Sequence, residues 1–154
     1  MMRVPQRREP RVGPARAGAV AMLLAAVLVA VLAAGCGKQR PGPPPIVTGE
    51  PCMGCGMEIQ DLRFACEREV DGDWRLYDAI ECLVHDVHEK PGGRIWLADY
   101  DTQTLHPAER LWIVNGDFPS PMGGGLAGFL DRATADAIAA KTNGRVGRLS
   151  EMLQ

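Results

Sequence analysis

The sequence predicts an α+β protein made of two small, similar ββαβ units packed together, following an export signal and a flexible tether. Three observations predict it. The first 45 residues hold a charge-free apolar run and a proline-rich stretch, so only the remainder can build a core. Beyond them, alternating apolar residues around an Asp71-Gly72 turn give way to helical spacing and then to a further run of strand formers. The same order of patterns then recurs before the C-terminus.

Residues 1–18 carry Arg3, Arg7, Arg8, Arg11 and Arg16 against the single acid Glu9. Ala19 to Ala34 follows without a charge, short for a membrane span and suited to the apolar region of a signal peptide. Leu32-Ala33-Ala34-Gly35-Cys36 resembles a lipobox, in which a peptidase cuts before a lipid-bearing cysteine. Residues 1–35 are therefore expected to be a lipoprotein signal peptide, and Cys36 to anchor the chain to a bacterial membrane, facing the periplasm or the cell exterior. Gly37 after that cysteine, in place of aspartate, favours an outer membrane where the host has one. An ordinary secretory signal with an incidental cysteine is the alternative. Of 17 basic and 19 acidic residues, processing removes five and one, leaving 12 and 18, a net charge near −6. An acidic surface excludes nucleic acid as a natural partner.

Residues 36–49 form the lipidated N-terminus and tether. Gly37 to Pro45 holds four prolines and two glycines, a composition that extends the chain and cannot pack. The first ββαβ unit is expected over 50–100. Arg63 to Val70 alternates, placing Phe64, Cys66 and Val70 on one strand face, and Asp73 to Tyr77 returns across the Asp71-Gly72 turn. Asp78 and Glu81 read as a capping box for a helix whose Ile80, Leu83, Val84 and Val87 share one face. Pro91-Gly92-Gly93 ends it, and Arg94 to Tyr100 is a third strand. The second unit, 101–154, repeats the scheme with strands at Arg110 to Val114 and around Pro121 to Gly128. A helix at Asp131 to Thr142 stopped by Asn143-Gly144 follows, then a final strand from Arg145 to Leu149. Units this small bury little surface alone, so the two should pack together with a site in the cleft between them.

Four cysteines remain once Cys36 is set aside: Cys52, Cys55, Cys66 and Cys82. In Pro51-Cys52-Met53-Gly54-Cys55-Gly56-Met57, two thiols and two thioethers fall within six residues. Such soft donors together suit Cu(I) better than any hard ion. Cys-x-x-Cys by itself is also compatible with a redox pair, half a zinc site or a structural disulfide. A second segment, Pro119-Ser120-Pro121-Met122-Gly123-Gly124-Gly125-Leu126, puts a methionine in a turn where burial explains it poorly. Its glycines are not a phosphate loop, because no Lys-Ser/Thr follows at the required spacing.

Three motifs in order resemble the NosL family. They are Cys52-x-x-Cys55-Gly56-Met57, Tyr77-Asp78-x-x-x-Cys82-Leu83 and the run from Pro121-Met122-Gly123 to Ala127-Gly128-Phe129, and they span about residues 50–150. The resemblance implies a membrane-anchored Cu(I) metallochaperone, not an enzyme, that helps assemble the copper centre of nitrous oxide reductase. It implies a fold of two strand-strand-helix-strand domains related in shape to organomercurial lyase. It also implies that Cys55, Met57 and Met122 hold the metal, with Cys52 either a further ligand or the disulfide partner of Cys55 when metal is absent.

Further residues carry weaker expectations. Cys66 falls on an apolar strand face and reads as a buried, inert thiol. Cys82, His85 and His106 are minor ligand candidates; Cys82 should lie roughly opposite the apolar stripe of its helix, facing the other unit or water. Trp96 and Trp112 read as core, and the scattered aspartates as turn, cap and solvated positions. Rival functions are a thiol-disulfide oxidoreductase using Cys52 and Cys55, carbon–metal bond cleavage, and a structural lipoprotein without metal.

Overall fold

The computed structural model describes residues 42–152. The expected signal peptide, the lipidation site Cys36 and the first part of the tether lie outside the described residues. Strand β1 (Cys66–Val70) turns at Asp71 and Gly72, both with positive φ (58° and 95°), into β2 (Asp73–Tyr77) in antiparallel register, Val70 opposite Asp73. Paired left-handed residues match the right-handed twist of the flanking strands. Helix α1 (Ile80–Glu89) follows, then β3 (Arg94–Ala98), which pairs antiparallel with the other edge of β1. Strand β4 (Leu105–Pro107) adds to β3 and completes the order β2-β1-β3-β4.

The second sheet repeats the scheme. Strand β5 (Trp112–Asn115) is central, β6 (Leu126–Phe129) pairs on one side and, after α2 (Arg132–Lys141), β7 (Arg145–Gly147) pairs on the other. In both units the first strand is central and the helix crosses from second strand to third, so the two-unit α+β fold class holds. Asp131 caps α2, its carboxylate accepting from the Thr134 N–H at 2.7 Å.

Several local expectations are corrected. The first strand begins at Cys66, not Arg63, and Phe64 packs with the second sheet's cluster. Strand β4 was not anticipated; its three residues include a proline and carry no alternation to read. Residues 121–125 form a turn, not a strand, and Leu149 opens a single-turn helix α3 (Leu149–Met152). The capping box is absent: Ala79 is the N-cap of α1 and no side chain caps it.

Helix α1 buries Ile80 and Leu83 in a cluster with Cys66, Tyr77 and Leu97, and Leu111, Ile113 and Leu149 of the second unit join the same cluster. Each such aliphatic side chain contributes about 1.5–3 kcal/mol when fully buried. A polar network fixes the helix to the sheet. Arg68, fully buried on β1, donates to the Asp86 carboxylate at 2.6 Å and to the Gly92 carbonyl at 3.0 Å. Arg75 and the Tyr77 hydroxyl donate to the same carboxylate at 2.9 and 2.6 Å. Burial works against the Asp86 charge, yet the bonds from Tyr77 and Arg68 and the nearby guanidiniums hold it below the usual carboxylate range. Asp86 is thus no solvated aspartate. Nor is Asp99, which is buried and accepts from Thr102 and from the Leu130 N–H, stitching β3's end to the second unit.

Candidate metal centre

Residues 49–59 double back on themselves. The Gly49 N–H donates to the Ile59 carbonyl, the Ile59 N–H to that of Glu50 and the Cys52 N–H to that of Met57, all within 2.9 Å. The Met53 N–H donates to the Leu76 carbonyl at 2.8 Å, which pins the loop tip to the end of β2. Gly54 then lies so close to α1 that a β-carbon there would sit 2.9 Å from the Cys82 β-carbon. Only glycine lets the loop backbone approach the helix this closely.

The result is a cluster at the junction of loop, β2 and helix. One donor atom each from Cys52, Cys55, Asp78 and Cys82 lie within 4.8 Å of one another. Cys52 and Cys82 are buried and Cys55 is exposed; all three are free thiols. Asp78, 3% exposed, accepts from the Cys55 thiol at 3.6 Å through Oδ2, and its Oδ1 has no hydrogen-bond partner. A buried carboxylate oxygen left unpaired is costly, so a cation among these groups would complete the arrangement. Burial pushes the Cys52 thiol up, opposed by backbone N–H groups of Asp78, Cys55 and Gly54 directed at its sulfur. Burial also pushes Cys82 up strongly, reinforced by Asp78 and Cys52 nearby. A metal ion bound there would offset that cost and favour the thiolates.

The second unit reaches the same place. Ser120 donates to Glu81 Oε1 at 2.9 Å and accepts from the Gly125 N–H at 2.9 Å, fastening the 119–125 turn to α1. At Gly125, with φ of 65°, a β-carbon would collide with the Gly116 carbonyl, so the turn is closed by a residue without one. Met122 is thereby brought to a cavity of about 270 Å³ lined with Gly54, Cys55, Glu81, Cys82 and His85. It is 44% exposed. A thioether from one unit and thiols from the other thus share one cavity.

The sequence candidates separate as follows. Cys52, Cys55 and Cys82 come together, with Met122 and His85 at the rim; His85 is exposed, 3.9 Å from Glu89. Met57 is not in that cavity but lines a second one of about 320 Å³, together with Asp78 and Pro121. His106 is on β4, at the opposite edge of the first sheet from β2, its Nε2 2.9 Å from the Thr104 hydroxyl, and does not approach the cluster. Cys66 is buried and donates to the Phe64 carbonyl, as expected of an inert thiol. Asp78 is the residue the sequence reading missed. In the sequence it reads as a helix cap, and its place in the motif with Tyr77 and Cys82 is the signal that could have found it. The Cys52–Cys55 pair opens no helix, unlike a thioredoxin-type pair, whose attacking thiol draws on a helix N-terminus.

Fold and cluster together define a class: small two-sheet α+β proteins that gather free thiols and a thioether where their two units meet. No protein-family model matches the chain. The copper-binding lipoprotein NosL of Stutzerimonas stutzeri is 29% identical to it, over 85% of this chain and 79% of that protein. The crystal structure of the copper chaperone NosL from Shewanella denitrificans aligns with a TM-score of 0.64 at 17% identity, covering 73% of this chain and 96% of that one. The chain is thus similar to NosL of S. stutzeri in sequence and to that of S. denitrificans in fold.

Proposed function

We propose that the chain is a copper-binding metallochaperone that carries Cu(I), tethered to a membrane through Cys36 and facing the periplasm or cell exterior, and supplies copper for the assembly of nitrous oxide reductase. The observation that carries the reading is the position of Cys55, shared between the buried thiols and the cavity of Met122. Cys52, Cys55 and Met122 are the sulfur donors of this reading, and Cys82 joins them from α1. Met57 stands at the neighbouring cavity as a further thioether. Two or three soft sulfurs satisfy Cu(I), and an exposed rim suits a protein that must give its cargo up. Transfer would proceed by ligand exchange, the acceptor's donor atoms replacing the exposed Met122 and Cys55 before the buried thiols of Cys52 and Cys82. The S. stutzeri relative's description as a copper-binding lipoprotein supports both the metal and the anchor.

The test is titration of the reduced chain with Cu(I) against a competing chelator. Cys55→Ser and Met122→Ala should each weaken binding by at least about tenfold, the scale on which altering the surroundings of a metal already acts. Wild-type affinity in both variants would overturn the site.

A further inference from the structure

The pair Cys52-x-x-Cys55 invites a disulfide within the loop, yet the geometry points elsewhere: we infer that the metal-free chain closes a disulfide between Cys55 of the loop and Cys82 of α1. The inference deepens the copper reading, because the bond would take Cys55 away from the metal and let only the reduced chain load. Three arrangements support it. Gly54 presses the loop backbone onto the Cys82 β-carbon, which sets its neighbour Cys55 opposite that residue. The Cys55 and Cys82 sulfurs lie within 4.8 Å of each other, and both residues line one cavity, which Cys52 does not. Cys52 is instead held on both sides within the loop, its N–H donating to the Met57 carbonyl at 2.8 Å and its carbonyl accepting from the Gly56 N–H at 2.9 Å, with its side chain buried in the core. Cys66 is buried apart, bonded to the Phe64 carbonyl.

Access decides the order of events. Cys55 is the exposed thiol, so it meets an external disulfide, RSSR, first. Its thiolate attacks one sulfur of RSSR; that S–S bond breaks, Cys55 becomes the mixed disulfide, and the released RS⁻ takes up the proton Cys55 lost. The Cys82 sulfur then attacks the Cys55 sulfur and expels the second RS⁻, which takes the proton from Cys82. Two protein thiols lose two electrons, and one RSSR becomes two RSH. The oxidant is thus a disulfide, of protein or small-molecule origin, such as an oxidising compartment supplies.

The experiment uses the purified chain, reduced and freed of metal, then exposed to glutathione disulfide, alkylated with iodoacetamide and digested without reductant for mass spectrometry. The expected product links Cys55 to Cys82, with Cys52 and Cys66 alkylated on denaturation. Cys52→Ser should retain the link, and Cys82→Ser should leave Cys55 as a glutathione adduct. A Cys52–Cys55 link in the wild type, or a persistent Cys55 adduct there, overturns the inference. A parallel sample loaded with Cu(I) separates the two readings. A link that forms equally with and without Cu(I) refutes the copper site and leaves the disulfide standing; Cu(I) bound through Cys55 with no link in the metal-free chain refutes the disulfide alone.

Discussion

Two buried carboxylates on neighbouring strands show how differently one residue type behaves by position. Asp78, at the end of β2, faces thiols. Glu67, on β1, is fully buried, with both carboxylate oxygens unpartnered, and burial, with the Glu50 charge nearby, pushes it up to about 7. An acid raised in the folded state contributes its full stability below its unfolded value and loses it as pH rises. For Glu67 the loss begins near the ordinary glutamate value of 4.5 and is largely complete above about 7. The span corresponds to at most about 3 kcal/mol, at 1.36 kcal/mol per pH unit. Glu67→Gln removes the ionisation and keeps the shape, so urea unfolding at pH 5 and pH 8 should differ less in the variant than in the wild type. An equal difference would show that Glu67 ionises freely in the folded chain. Neither carboxylate's role was legible in the sequence, because a glutamate on an alternating strand reads as solvent-facing and an aspartate before a helix reads as a cap. Cys66 was legible, since its strand face is apolar on its own evidence.

At the scale of elements, the site depends on two fastenings that hold no metal themselves. The first is the Ser120–Glu81 hydrogen bond, which sets the Met122 turn against α1. Ser120→Ala should weaken Cu(I) binding roughly tenfold, as loss of an orienting partner does. Its free energy of unfolding should change by only about 1 kcal/mol. Unchanged affinity would mean that the turn finds its place unaided. The second is the carboxylate of Asp86, which takes hydrogen bonds from Arg68, Arg75 and Tyr77 and clamps α1 to its sheet. Asp86→Ala leaves the buried Arg68 guanidinium without its counter-charge and should cost about 3 kcal/mol in urea unfolding, the lower end for a broken buried pair, because the Gly92 and Lys90 carbonyls still accept from it. The helices and the hairpin could be read in advance because each has a local cause: the 3.6-residue stripe of α1, the two left-handed turn residues, the Asp131 cap. Strand β4 and the 119–125 turn could not, since a three-residue strand exists only through its pairing with β3, and the turn's shape depends on contacts with Glu81 and Gly116.

In the whole molecule, the two ββαβ units divide the sheets but not the core. Leu111, Ile113 and Leu149 of the second unit pack among Cys52, Cys66, Tyr77, Cys82 and Leu83 of the first, while Phe64 crosses the other way to Val114, Phe129 and Ala135. Tyr100 N–H donates to the Gly128 carbonyl at 2.8 Å, joining the end of β3 to β6. The repetition of strand, strand, helix, strand was visible as pattern, whereas this exchange of side chains was not, since periodicity says which face is apolar and not what covers it. A shared core has a thermodynamic consequence: neither unit can open without exposing the other's apolar surface, so the pair should unfold as one cooperative step. The tryptophans make this measurable, since Trp74 and Trp96 sit on the first sheet and Trp112 on the second, between the guanidiniums of Arg132 and Arg148. In Trp112→Phe, fluorescence reports the first unit alone, while far-UV circular dichroism reports both. The two urea curves of that variant should coincide in midpoint and slope. Curves that separate would mean that the second unit melts on its own, and Met122 would then leave the thiol cluster under conditions in which Cys52, Cys55 and Cys82 still hold together.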